Sequence, residues 1–128
     1  MSNYPLVSII LPIYNSEKYI RNSIGSIISQ TYINWELLII YDESIDNSLQ
    51  IIKFFLSKDN RIKILFNKNK GLKNALNFGI LKSKGKYIAR MDGDDISYPN
   101  RINYQLKYMI NKKLDICGSH YNQIDEKG

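Results

Sequence analysis

The sequence predicts an α/β fold: an open, mainly parallel sheet with helices on both of its faces. Leu6–Ile13 (LVSIILPI) and Glu36–Tyr41 (ELLIIY) are almost wholly apolar and β-branched, the pattern of strands buried on both sides. Between such runs lie stretches whose apolar residues recur at helical spacing. They are long enough to cross over the sheet, as parallel neighbours require.

After the first strand, Asn15 and Ser16 offer caps for a helix whose Ile20, Ile24, Ile27 and Ile28 share one face. The second strand leads into the polar segment Asp42–Ser48, where Asp46 is placed to cap a helix carrying Leu49, Ile52 and Leu56. Ile62–Phe66 forms a short third strand. A helix from about Gly71 to Ser83 aligns Leu72, Ala75, Leu76, Gly79 and Ile80, and Lys86–Met91 is the fourth strand. Pro99 suits the first turn of another helix, with Ile102, Leu106, Met109 and Ile110 on its buried face. A final short strand is expected near Leu114–Gly118. No repeat, low-complexity tract or linker interrupts the pattern, so residues 1–128 read as a single domain.

With 128 residues, 44% hydrophobic and 23% charged, the chain is large and apolar enough to bury its own core, which excludes a disordered protein. The single cysteine, Cys117, cannot form an internal disulfide; it is expected as a small buried hydrophobe in a reducing, cytoplasmic setting. His120 is alone too, so no zinc site is expected. The apolar runs are strand-sized and no signal peptide is visible, so no membrane span is expected. The net charge of +6 suits an anionic partner: a nucleoside diphosphate, an acidic membrane surface or nucleic acid. Eleven of the 18 basic residues fall between Lys53 and Arg90, with Asp59 the only acid among them. That cluster is either a solvated lysine-rich surface or an electrostatic attractor.

In an open parallel sheet, ligands bind beyond the carboxyl ends of the strands, where strand order reverses. The loops after the first, second and fourth strands are therefore the candidates. The first contains Pro12, Tyr14 and Asn15 but neither G-x-G-x-x-G nor G-x-x-x-x-G-K-[ST], which disfavours dinucleotide oxidoreductases and P-loop NTPases. Tyr14 either stacks on a nucleobase or packs beneath the next helix. The second loop places Asp42, Glu43 and Asp46 within five residues. Asp42 is suited to accept hydrogen bonds from a base or ribose, while helix capping accounts for Asp46.

The third loop carries the sharpest signal, Asp92-Gly93-Asp94-Asp95, directly after a buried strand. Carboxylates this close repel unless a cation or donor neutralises them. Their oxygens suit Mg2+ or Mn2+, an ion that would accept diphosphate oxygens and stabilise a departing nucleoside diphosphate. Gly93 is expected to let the backbone approach a ligand. The bland alternative is a solvated turn leading into the Pro99 helix.

Together VSIILPIYN (Val7–Asn15), Ser23–Gln30 with Thr31-Tyr32 and Trp35-Glu36-Leu37, YDESIDNS (Tyr41–Ser48), NKGLKNALNFGILKSKGKYI (Asn69–Ile88) and ARMDGDDISYPNRI (Ala89–Ile102) resemble bacterial family 2 glycosyltransferases of the GT-A fold. The resemblance covers most of the chain, in the family's order and spacing. It implies a Rossmann-like half that binds a nucleoside-diphosphate sugar, with the base, usually uracil, against Pro12 and Tyr14 and read by Asp42. It implies Asp94 as the main metal ligand for Mn2+ or Mg2+, Asp92 on ribose or metal, Asp95 completing the acidic site and Lys70 near the base or phosphates. Arg101 is expected to be structural, paired with nearby acids.

Tyr41, Glu43 and Ile45 depart from the acid, glycine and threonine usual in the family's second loop. The resemblance also implies an inverting mechanism with a carboxylate base in the second half of the domain, beyond Gly128. The chain is accordingly expected to be truncated at its C-terminal side. The whole enzyme would transfer sugar to a surface-polysaccharide or lipid-linked acceptor (a glycan or glycolipid), with peripheral contact at the inner face of the membrane and no nucleic-acid partner. The alternative is a catalytically incompetent nucleotide-sugar-binding or regulatory module.

Overall fold

The computed structural model describes residues 4–128. Its elements run β1 (Val7–Ile13), α1 (Ile20–Ile28), β2 (Trp35–Tyr41), α2 (Ser48–Leu56), β3 (Ile62–Phe66), α3 (Leu72–Lys82), β4 (Tyr87–Arg90) and α4 (Arg101–Lys112). All pairings are parallel, in the order β3-β2-β1-β4. Right-handed crossovers explain the layering. Moving from β1 to β2 to β3 carries α1 and α2 over one face, and the return to β4 carries α3 over the other.

Alternation within the strands supplies both layers of the core. Ile9, Leu11, Ile13, Leu37 and Ile39 pack with Ile20, Ile24 and Ile27 of α1, Ile52 and Phe55 of α2, and Ile102 and Leu106 of α4. On the opposite face Ile10, Leu38 and Ile40 pack with Ala75 of α3. Gly79 permits that approach, because a Cβ there would lie 2.7 Å from Ile10 Cγ2. The central strand β2 is buried throughout.

At the amino ends of the strands, Glu36 is 5% exposed. Its carboxylate accepts hydrogen bonds from Ser8 Oγ (2.7 Å), Lys63 Nζ (2.9 Å) and the Lys84 N–H (2.9 Å). Ser8 Oγ in turn accepts from the Gly85 N–H at 2.8 Å. Burial pushes the Glu36 carboxyl up, and these donors outweigh it, leaving the group below the ordinary carboxylate range.

Three expectations are corrected. Asn15 and Ser16 do not cap α1, which starts at Ile20 with Tyr19 before it; both are used to tie two loops together. Leu114–Gly118 is not a strand. Lys113 ends α4 in the left-handed conformation (φ 53°), and the following segment, with Ile116 largely exposed, buries too little apolar surface to pair as a strand. Cys117 is only half-buried, its Sγ 3.9 Å from the Gln105 carbonyl.

Candidate functional site

The strand order reverses at β1, which has β2 on one side and β4 on the other. Beyond its carboxyl end lies a pocket of about 610 Å3, lined by loops that follow β1, β2 and β4 and by the start of α3. Six of the residues singled out from the sequence line it: Pro12, Tyr14, Asp42, Lys70, Asp92 and Asp94. Asp95 does not.

Tyr14 projects here with 63% of its surface exposed, an accessible ring at the pocket mouth. The chain turns sharply after it because Asn15 takes a left-handed conformation (φ 45°), which asparagine tolerates better than most residues. Asn15 then joins the second loop: its N–H donates to Ser44 Oγ and its Oδ1 accepts from the Ile45 N–H, both at 3.0 Å. The Ser16 N–H donates to Ser48 Oγ (2.9 Å), and the Glu17 N–H to Asp46 Oδ2 (2.9 Å). Glu17 accepts from the Asn47 N–H (3.2 Å) and Nδ2 (2.7 Å). Asp46 also accepts from the Ser48 N–H at 2.9 Å and so holds the start of α2. Asn15, Glu17, Ser44 and Ser48 were not singled out for this, since the pairing joins residues about 30 apart. Only the asparagine at a strand exit hinted at it.

Asp42 is 7% exposed. One oxygen accepts from Asn67 Nδ2 (2.6 Å) and the other from the Gly71 N–H (3.0 Å). It thereby fixes the Asn69-Lys70-Gly71 turn, where Gly71 (φ 106°) precedes α3 in a conformation that favours glycine. Tyr41, standing where the resemblance has an acid, buries its ring edge-on to Phe66, and its hydroxyl accepts from the Ser44 N–H (3.1 Å). Lys70 Nζ is 3.9 Å from Glu43 Oε2, with both groups exposed, a contact worth little in solvent. The first turn of α3 has no side-chain cap and no acid, so its free N–H groups and dipole favour an anion.

In the acidic run, Gly93 is buried against β1: a Cβ there would sit 2.7 Å from Ile13 Cδ1 and 3.1 Å from Ser16 Oγ. The glycine thus permits close packing against Ile13 and Ser16, and its backbone also forms part of the pocket wall. Arg90 Nη2 lies 3.1 Å from Asp92 Oδ1, and both are half-exposed. Asp94 is exposed on the pocket wall. For Asp95, burial first, then Asp94 and Asp92, push the carboxyl up, against smaller opposing effects of an Asp92 backbone hydrogen bond and Arg101.

Arg101 does not pair with an acid: among the described residues it forms no ion pair. It donates instead to the Arg90 carbonyl (2.8 Å) and to Gln105 Oε1 (3.1 Å).

Among the described residues, no three His, Cys, Asp or Glu side chains are grouped to hold an ion. The pocket wall offers Asp92 and Asp94, since Asp42 is already engaged. Two hard carboxylates fit an Mg2+- or Mn2+-type ion that takes its other ligands from water and substrate phosphates.

The family model for glycosyl transferase family 2 matches residues 8–128. An uncharacterized glycosyltransferase of Haemophilus influenzae is 46% identical over 99% of the chain, which covers 40% of that protein. The glycosyltransferase GlyG of Streptococcus pneumoniae is 38% identical over 96% of the chain and 42% of its own length. The chain spans between 18% and 51% of the lengths of the first relatives it matches. Among solved structures, S. aureus TarS in complex with UDP superposes with a TM-score of 0.78 at 24% identity, over 91% of this chain and 38% of that one. The Pyrobaculum calidifontis mannosyltransferase PcManGT, in complex with GDP-Man and Mn2+, superposes with a TM-score of 0.76 at 20% identity, over 84% and 33%. At these identities the likeness shows a shared fold.

Proposed function

The chain belongs to glycosyl transferase family 2, and on that premise we propose that its pocket binds the nucleoside diphosphate of a sugar donor, UDP-linked by preference. The observation that carries this is the convergence of Tyr14, Asp42, Lys70, Asp92 and Asp94 on one cavity at the strand reversal. The solved complexes of TarS with UDP-GlcNAc and of PcManGT with GDP-Man and Mn2+ agree with it.

In this reading the base stacks on Tyr14 beside Pro12, and Asp42 accepts from it through lone pairs that Asn67 and Gly71 leave free. Lys70 and the start of α3 draw the phosphates by charge and dipole. Asp92 and Asp94 would hold Mn2+ or Mg2+ beside the diphosphate, and Asp95 adds negative potential to the same run. When bound, the ion supplies Lewis acidity that stabilises the departing diphosphate. The half-exposed contact with Arg90 is weak enough in solvent that Asp92 would remain free to serve as one of those ligands.

For the whole protein we propose inverting transfer to a surface-polysaccharide or lipid-linked acceptor at the inner face of the membrane. Among the described residues no helix is long and apolar enough to cross a membrane.

Calorimetric titration with UDP, GDP and their sugars, with and without Mn2+, tests the reading. We expect metal-dependent binding that disappears in Asp94→Ala. Equal affinity in that variant, or equal wild-type affinity with and without metal, overturns the metal site.

A further inference from the structure

The segment after the acidic run has few partners of its own. Asn100 occupies the cap position of α4 but makes no side-chain cap bond; its Oδ1 accepts from Thr31 Oγ1 at 2.8 Å instead. The first N–H groups of a helix need acceptors, and a buried one left without is costly. The Ile102 N–H finds its acceptor in Gln30 Oε1 at 3.1 Å, 72 residues away in sequence.

Gln30, just past the end of α1, is 6% exposed. Its amide nitrogen donates to the Tyr98 carbonyl (2.7 Å) and Ser97 Oγ (3.2 Å), with the Ser26 carbonyl at 3.3 Å. Neighbouring residues add to the attachment. The Ser97 N–H donates to Ser26 Oγ (2.9 Å), and the Thr31 N–H to the Pro99 carbonyl (2.8 Å). The segment from Ser97 to Ile102 is thus strapped to the end of α1, with one buried amide bridging both its loop and the start of α4.

On the other side of the acidic run, β4 and the buried Gly93 fix the chain against β1. Asp94 and Asp95 lie between these two anchors. We propose that Gln30 is a positioning residue for the acidic run: it holds the far end of the run so that Asp94 faces the pocket beside Asp92, which β4 and Gly93 already fix. The proposal rests on the metal-diphosphate reading above. Gln30 itself is absent from the pocket wall.

The test separates the two halves of the pocket. UMP without metal reads the Tyr14 and Asp42 side, whereas the gain in UDP affinity on adding Mn2+ reads the acidic run. In Gln30→Met, similar in volume but without the amide, the Mn2+-dependent gain should fall at least tenfold while UMP affinity stays within twofold. The EPR spectrum of Mn2+ bound with UDP should change as well, a readout that general loosening of the fold would not move selectively. Ser26→Ala, which removes the acceptor for the Ser97 N–H together with a hydrogen bond to the Ser23 carbonyl within α1, should produce a smaller split of the same kind, and it carries the test if Gln30→Met does not fold. A folded Gln30→Met with the full Mn2+ gain, equal losses for UMP and UDP, or an unchanged split in Ser26→Ala overturns the positioning role and leaves the site reading intact. A wild type with no Mn2+-dependent binding of UDP, or of GDP measured beside it, overturns both.

Discussion

One buried acid and one cluster of acids sit at opposite ends of this sheet. At the amino ends, Glu36 is buried yet saturated by a serine hydroxyl, a lysine and a backbone N–H that come from three separate segments. At the carboxyl ends, Asp92, Asp94 and Asp95 crowd together, with one exposed contact to Arg90 as their ion pair. Burial pushes both Glu36 and Asp95 up; donors reverse the shift at the first and do not at the second. A carboxylate whose lone pairs are filled from within the chain holds the fold, and carboxylates left to repel are available to a cation.

The contrast breaks most clearly at Glu36. Glu36→Ala strands the Ser8 hydroxyl and the Lys84 N–H in a buried setting and should cost about 3 kcal/mol by urea denaturation. Because the folded-state carboxyl is depressed, its contribution is present above the ordinary carboxylate range and is lost as the pH falls through the folded value. The wild type should therefore lose more stability on acidification than Glu36→Gln.

Asp94→Ala should do the reverse, lowering Mn2+-dependent UDP affinity at least tenfold, about 1.4 kcal/mol, with an unchanged urea midpoint. A large loss of stability there would erase the difference between the two ends. Gly93→Ala should cost about 1 kcal/mol in the same denaturation measurement, because the new methyl group meets the end of the Ile13 side chain, which must shift.

Asp95→Asn carries the smallest effect. A carboxyl raised in the folded state destabilises the fold as the pH climbs through that raised value, and contributes no deficit where both states are protonated. Asp95 is exposed, so solvent screens most of this effect: the substitution should raise the melting temperature only slightly at pH 7 and leave it unchanged where both states are protonated.

Every strand and helix that buries a full apolar face was legible in the sequence, because periodicity records burial directly. Asp42 could be singled out because charge at the exit of a buried strand is conspicuous, and the acidic run because three acids cluster at the end of a strand, although β4 itself proves half-exposed rather than buried. What escaped were contacts that periodicity does not encode. Gln30 looks like an ordinary polar residue at a helix end, and its four side-chain partners are Ser26 and, about 70 residues on, two loop residues and the first turn of α4. Nothing local reveals that Gly93, besides lining the pocket, must also leave room for Ile13. The expected strand at Leu114–Gly118 failed because a short apolar run becomes a strand only with a partner to pair and a face to bury.

The borrowed cap on α4 also orders events in time. A helix whose first-turn N–H is satisfied by an amide 72 residues upstream cannot be completed by local interactions, however amphipathic it is. We expect α1 to settle on β1 and β2 before α4 docks, because that docking closes a long loop. The acidic run, which precedes α4, therefore acquires its native shape among the last parts of the chain. Substitutions in α4 should speed unfolding while leaving the rate of folding nearly unchanged.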